Sequence, residues 1–393
     1  MDETDDIYLD YAAATPLESC VLAAMEPYFS REFCNPSAPY ARGRAARAAL
    51  EDARARLAHA IGAKPATITL TAGATEANNI AFAATDGHVV TCAIEHESVL
   101  ACAQARNASI VGVDACGLVA PEDVAAAITP ATTLVSISLA NGEIGTIQPL
   151  AAIARLVRAE RERRLAAGEH APIWLHTDAT QAAGLLSVNV ASLGVDAMTL
   201  SAAKIYGPKQ VGLLWAREGM ALRPLLLGGG QEAGVRSGTE NVAGAVGFAT
   251  ALERACRVRD DEAKRLAALR DELQGHLLAA FPQAVVAGPT KARLRLPNLL
   301  HVSFPGLEAR RLVIALERRG VSVGTGAACA ASKMRTSHVL EAIGAAPDVA
   351  AGSLRITLGR PTTRGQVQRA GELIVEAVAA EYARLDSRAG AGT

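Results

Sequence analysis

The sequence predicts an α/β fold, with a large domain built on a mixed, mostly parallel sheet and a smaller C-terminal α+β domain. Three observations carry this expectation. Short apolar, β-branched runs alternate with Ala-rich amphipathic stretches through residues 42–251, the signature of strand–helix units that stack a parallel sheet. Hydrophobic residues make up 50% of the chain against 20% charged and 4% aromatic, enough for a large core and unlike a disordered or collagen-like chain. The length, 393 residues, exceeds the roughly 150 residues of one ordinary domain.

Taken in order, residues 42–61 predict a helix with Leu50, Leu57 and Ile61 on one face and Gly62 as its stop. Residues 67–71 predict a strand, followed by a Gly turn and another helix. Buried strands are expected at 89–93, 133–139, 173–177, 197–201 and 212–216, with helices or turns between them. The Arg- and Glu-rich stretch 155–164 reads as a solvated helix face. After Ala251 the composition shifts, and 253–278 is charged and helical, suited to a connecting helix. A strand at 299–304, a helix near 308–318 and a short strand at 321–323 follow. The last helix, 363–385, places Val367, Ala370, Ile374, Val378 and Leu385 at helical spacing, and the Gly/Ala-rich tail 387–393 is expected to fray. The expected division is a large domain over 15–255 and a small one formed by 1–14 with 256–393.

Lys plus Arg total 39 against 40 for Asp plus Glu, a net charge of -1, which removes the electrostatic reason to expect nucleic acid or a membrane surface as partner. No apolar run approaches the roughly 18 residues of a membrane span, and Met1-Asp2-Glu3-Thr4-Asp5-Asp6 is acidic where a secretory signal is basic. A soluble cytoplasmic protein is expected. The seven cysteines, Cys20, Cys34, Cys92, Cys102, Cys116, Cys256 and Cys329, are odd in number and lack CxxC spacing, so neither a disulfide framework nor a metal site is expected.

The chemistry starts at Lys204, which follows the apolar run ending in Leu200-Ser201. A lysine there either snorkels from a strand end or works as a partly desolvated Schiff-base amine. Asp178 ends the preceding predicted strand, and parallel strands bring their carboxyl ends together. A carboxylate opposite an amine suits pyridoxal phosphate (PLP), whose ring nitrogen needs a carboxylate partner to act as an electron sink. Leu70-Thr71-Ala72-Gly73-Ala74-Thr75-Glu76 adds a strand, a Gly turn and a helix start, which is an anion cradle or an ordinary helix cap.

With these residues in place, the sequence resembles the cysteine desulfurases of the class V aminotransferase group, PLP-dependent transferases of fold type I. The resemblance runs from Tyr8-Leu9-Asp10-Tyr11-Ala12-Ala13-Ala14-Thr15-Pro16 to Gly352-Ser353-Leu354-Arg355-Ile356-Thr357-Leu358-Gly359-Arg360. Between them, in order, come Cys34-Asn35-Pro36-Ser37, Ala74-Thr75-Glu76-Ala77-Asn78-Asn79, Glu95-His96, Gly142-Glu143-Ile144-Gly145, His176-Thr177-Asp178-Ala179-Thr180-Gln181, Lys204-Ile205-Tyr206-Gly207-Pro208-Lys209 and Arg236-Ser237-Gly238-Thr239. It implies Lys204 as the Schiff-base lysine and general base, Asp178 at the pyridine nitrogen, and His96 stacked on the ring and moving protons. Gln181 would bond the phenolic oxygen. Ala74, Thr75 and Ser201 would hold the phosphate, with Thr239 reaching in from the partner subunit of a homodimer. Asn35 and Arg355 would grip the substrate carboxylate, a task that suits the bidentate fork of Arg. Cys329, preceded by Gly324-Thr325-Gly326-Ala327-Ala328, matches the persulfide cysteine, and the small residues before it suit an accessible loop. The implied reaction takes L-cysteine to L-alanine and passes the sulfur through Cys329 to an acceptor thiol on a protein or small molecule.

Three positions depart from the family's pattern. Ala203 stands where a His usually precedes the lysine, Gly142 where an Asn precedes Glu-Ile-Gly, and the Pro39-Tyr40 region lacks the usual His. They imply weaker cofactor retention or an altered substrate preference, which an Ala203→His, Gly142→Asn double variant is expected to reverse. The chain ends soon after its last predicted helix, without the longer tail that scaffold-dedicated relatives use for docking, which puts a dedicated iron–sulfur scaffold partner in doubt and leaves the sulfur acceptor open. Two other readings stay open: another PLP-dependent lyase, acting on cystine, a cysteine conjugate or selenocysteine, and a non-catalytic homologue.

Overall fold

The computed structural model describes residues 6–325 and 337–390. The described residues form twelve strands, in chain order β1 (Ile7–Leu9), β2 (Ile68–Thr71), β3 (His88–Cys92), β4 (Ala108–Val111), β5 (Thr132–Ser136), β6 (Trp174–Asp178), β7 (Ala197–Ser201), β8 (Gly212–Ala216), β9 (Val285–Val286), β10 (Leu299–Ser303), β11 (Val321–Val323) and β12 (Ser353–Thr357).

Seven of them form one sheet in the order β2-β8-β7-β6-β5-β3-β4. Only β8 runs against its neighbours, so β2 and β7, on either side of it, point the same way as β6, β5, β3 and β4. This is the mixed, mostly parallel sheet expected. Every residue of β3, β7 and β8 is buried, because helices cover both faces, and near-continuous apolar strands are what that arrangement demands. The helix Ala41–Ile61 packs on the long helix Val242–Ala280 and stops at Gly62, whose φ of 72° only glycine adopts without strain.

A second, smaller set of strands carries the C-terminal part. β9, β10 and β12 form an antiparallel sheet in the order β12-β10-β9, and β1 pairs in parallel with β11. Bridges Asp10↔Thr357 and Gly324↔Arg355 stitch the pair to β12. Apolar residues gather in two main cores. One surrounds the large sheet and includes Val242–Ala255 of the long helix, and the other surrounds the small sheets and takes Leu266, Leu269, Leu273 and Leu277 from the same helix. No helix among the described residues is long and apolar enough to cross a membrane.

Several expectations need correction. The connecting helix expected at 253–278 is the distal part of a 39-residue helix, because the Ala- and Gly-rich stretch before Glu253 is also helical and fully packed. The last helix runs to Gly390 rather than ending at 385, so the fraying expected from Ser387 onward starts too early. Stretch 155–164 lies in the helix Leu150–Ala166, but Arg164 is 2% exposed and not solvated. Its guanidinium donates to the carbonyls of Thr132 (2.8 Å) and Thr129 (2.9 Å) and to Glu160 (2.7 Å), so specific acceptors offset its burial. Strands β1, β4, β9 and β12 were not foreseen. β1, β4 and β9 are two to four residues long, too short for periodicity to show.

Candidate active site

The shared direction of β2, β3, β5, β6 and β7 brings their carboxyl ends to one edge, and a cavity of about 1390 Å³ opens there. Ala74, Thr75, His96, Asp178, Gln181, Ser201, Ala203, Lys204 and Arg355 all line it. Gly142 and Glu143 line it as well.

Asp178, the last residue of β6, is 8% exposed. Its Oδ1 accepts from the Thr180 amide and its Oδ2 from the Asn78 side chain, both at 2.9 Å. Two residues earlier on the same face, His176 is fully buried between Ser136 Oγ (2.9 Å) and Thr199 Oγ1 (3.0 Å). Burial pushes its pKa down to about 4, against the pull of the Asp178 charge, so the ring is neutral.

Lys204 closes the short turn Ala202–Lys204 after β7, and its Nζ donates to the carbonyls of Ala12 (2.9 Å) and Ala13 (2.5 Å). The backbone bends sharply just beyond, where Tyr206 takes φ 67°, a left-handed conformation that a bulky residue rarely adopts. Its amide donates to Thr15 Oγ1 at 2.8 Å, and the Arg360 guanidinium stacks 3.8 Å from its ring centroid, which holds the bend. Gln181 Nε2 also donates to Ala12 O, at 3.1 Å.

The helix Ala74–Ala83 starts at the cavity wall after Gly73, whose φ of 143° lies in a region that L side chains rarely adopt. The first-turn N–H groups of such a helix have no carbonyl of their own to bond. Ser201, at the end of β7, adds a hydroxyl. His96 follows β3 and caps the helix Glu97–Gln104, accepting the Ser98 amide on Nδ1 at 3.1 Å.

Across the cavity, Arg355 on β12 is buried, with Nη2 2.9 Å from Asp10 Oδ1 and Nη1 3.4 Å from Gly142 O. Beside it the buried Glu143 carboxyl is pushed up by desolvation and accepts from Ser337 Oγ at 2.5 Å. Glu95, fully enclosed and bonded to the Ser138 amide (2.8 Å) and hydroxyl, is pushed up to about 8 by burial.

Two expected site residues lie elsewhere. Asn35 and Thr239 are exposed and do not line the cavity of their own chain. Cys329 falls in 326–336, outside the described residues. Sequence reasoning assigned no role to Asn78, Glu95 or Glu143, although each sits inside a motif that carried the resemblance. No local signal marks Asn78: it sits in an ordinary Ala-rich helix start, and the burial that obliges its side chain to find partners shows only in the fold.

Residues 7–370 match the aminotransferase class-V family, and the chain belongs to it. Within that family its likeness is to cysteine desulfurases. A cysteine desulfurase IscS from Dictyoglomus turgidum is 41% identical over 371 residues, 91% of each chain. The structure of a NifS-like protein, 33% identical, superposes with a TM-score of 0.86 over 95% of this chain and 99% of that one. The structure titled SspA in complex with cysteine, 30% identical, gives a TM-score of 0.75 over 89% and 98%.

Proposed function

We propose that this chain is a PLP-dependent cysteine desulfurase that converts L-cysteine to L-alanine and passes the sulfur, as a persulfide on Cys329, to an acceptor thiol. The observation that carries the reading is a buried carboxylate and a lysine amine facing one cavity that also opens on a helix N-terminus. These residues fit the cofactor. Asp178, with two donors on its oxygens, has its carboxylate at the cavity wall, and the N–H groups at Ala74 and Thr75 with the Ser201 hydroxyl form a donor set for a phosphate. When bound there, PLP supplies an electron sink for the charge left on the substrate α-carbon.

The remaining roles belong to the chain. The Arg355 fork takes the substrate carboxylate. Lys204 Nζ takes the α-proton, and His96 stacks on the ring and moves protons. Gln181 bonds the phenolic oxygen. Cys329 thiolate attacks the substrate sulfur, so an S–S bond forms as the C–S bond breaks, and the three-carbon fragment takes up one proton at its β-carbon, regains one at its α-carbon from Lys204 and leaves as alanine. Asn35 and Thr239, exposed and away from their own cavity, suit a homodimer in which they serve the site of the partner subunit. A cytoplasmic setting is part of the same reading. The two main cores, which part between Ala255 and Leu266, support a large domain over 15–255 and a small one over 1–14 with 256–393.

The test is alanine release from L-cysteine by purified protein whose absorbance reports bound PLP. We expect one alanine per persulfide trapped on Cys329 without an acceptor, and continued turnover with a thiol acceptor. Cys329→Ser is expected to keep the cofactor and lose at least about 100-fold in turnover. A Cys329→Ser chain that still consumes cysteine at the natural rate would make the protein a lyase.

A further inference from the structure

We propose that Asn78 and Ser98 form a hydrogen-bond relay that ties Asp178 to His96 and fixes His96 as the tautomer with its proton on Nε2. The inference rests on the desulfurase reading for what His96 and Asp178 do, but the relay is a property of the polypeptide alone.

The direction of each bond follows from the chemistry of its partners. A carboxylate only accepts, so the Asn78 atom 2.9 Å from Asp178 Oδ2 is the amide nitrogen. That nitrogen has a second proton, and Ser98 Oγ lies 2.9 Å away to receive it. The Ser98 hydroxyl still has its proton to give, and His96 Nδ1, 2.8 Å distant, receives it because that nitrogen presents a lone pair to Ser98. The Ser98 backbone amide donates to the same nitrogen at 3.1 Å. Two donors aimed at Nδ1 leave no room for a proton there, so the neutral ring carries its proton on Nε2.

Burial makes this arrangement costly to lose. Asn78 is fully enclosed and Ser98 is 8% exposed. Asn78 Oδ1 is buried without a partner among the described residues, so the side chain gives up its acceptor to place both donors. Asn78 also sits in the helix Ala74–Ala83 whose first turn forms the anion cradle. One helix therefore positions the cradle, the carboxylate of Asp178 and, through Ser98, the ring of His96. Asn78 and Ser98 are positioning residues, acting through groups that touch the cofactor.

The experiment uses the full chain as purified, labelled with 15N-histidine, with His96 assigned by comparison with His96→Gln. Two-bond 1H–15N spectra are expected to show an unprotonated Nδ1 and a protonated Nε2. Ser98→Ala is expected to move the Nδ1 resonance, and Asn78→Leu to move it the same way although Asn78 does not touch His96. The double variant should add less than the sum of the two, and Ser98→Thr, which keeps the hydroxyl, should restore the natural signal. In turnover of L-cysteine, Asn78→Leu should lower kcat about tenfold with KM within about twofold, because the carboxylate grip is remote. A proton found on Nδ1 in the natural chain, or a His96 signal unmoved by Asn78→Leu, overturns the relay. If Asn78→Leu does not fold, the Ser98→Ala and Ser98→Thr pair decides. Absence of alanine release from the natural chain would sink the desulfurase reading and leave the tautomer result standing.

Discussion

Behind the two charged ends of the cavity lie two fully buried histidines, His176 beside Asp178 on β6 and His301 directly opposite Arg355 across β10 and β12. His176 is bonded through both nitrogens, to Ser136 and Thr199. Neither nitrogen of His301 has a partner among the described residues. The same contrast holds for the charged groups themselves. Both oxygens of Asp178 accept good hydrogen bonds, whereas Arg355 has one firm partner, Asp10, a long contact to Gly142 O, and a buried Nε without a partner among the described residues. Each Asp178 oxygen is held by one protein donor, which fixes the carboxylate and leaves a lone pair on each for a bound group; the Arg355 end keeps donor capacity. That difference is what a site needs if one end holds a resident group in fixed geometry and the other takes up and releases a carboxylate on every cycle.

The largest test of the comparison is acid stability. Burial pushes His301 down to about 3, with Arg355 adding to the shift, and His176 down to about 4. An unfolded histidine titrates near 6.5, so the unfolded chain binds more protons below that pH. The stability these groups contribute is fully present above pH 6.5 and is lost as pH falls through 4 and 3. For His301 the ceiling is about 5 kcal/mol. His301→Leu breaks no bond among the described residues, and its urea midpoint at pH 7 should match or exceed the natural one, with a smaller fall by pH 4.5. His176→Leu strands two buried hydroxyls and should cost about 3 kcal/mol already at pH 7. Equal losses at pH 7 from both variants would erase the difference between the two ends.

A smaller effect of opposite sign comes from Glu95. Its carboxyl is raised to about 8 by burial, with the Asp178 charge adding and the Ser138 bonds opposing. A raised carboxyl contributes stability that is fully present below about pH 4.5 and is lost as pH rises through 8. Between pH 4.5 and 7 the loss amounts to about 3 kcal/mol at most. Glu95→Gln keeps an acceptor for the Ser138 amide and removes the titration. Its urea midpoint should vary less over that interval than that of the natural chain, and an unchanged slope would show that Glu95 is ionised where it sits.

Much of this arrangement was legible in the sequence, for identifiable reasons. β7 and β8 fall on the residues expected because an apolar run bounded by polar residues has few other solutions in an α/β chain. Asp178 and Lys204 could be set against each other because parallel strands align their ends. What escaped was long-range: β1 is three residues, and only its distant partner β11 makes it a strand. Arg164 looks like any helix-face arginine until the carbonyls of Thr129 and Thr132 come round to meet it. Asn78 and Ser98 are ordinary residues locally, and their meaning lies in atoms 20 and 100 positions apart along the chain.

The smallest expected effect concerns the departures at Gly142 and Ala203, and the structure separates them. A Cβ at Gly142 would come within 2.8 Å of Cγ and Cδ of Gln181, whose amide is held on Ala12 O. An asparagine there must push Gln181 off that carbonyl before it reaches anything else. Ala203 is under no such restraint: its carbonyl already accepts from Thr15 N (3.2 Å) and Oγ1 (3.0 Å), and its side chain lines the cavity. Ala203→His therefore adds a donor while the backbone stays put. Absorbance titration with PLP should show Ala203→His binding about fivefold tighter, the worth of one neutral hydrogen bond of about 1 kcal/mol. Gly142→Asn alone should bind no more tightly than the natural chain, and the double variant no more tightly than Ala203→His. Equal tightening from Gly142→Asn alone would mean that Gln181 yields easily, and that its amide is no more fixed on Ala12 O than the Arg355 guanidinium is on Gly142 O.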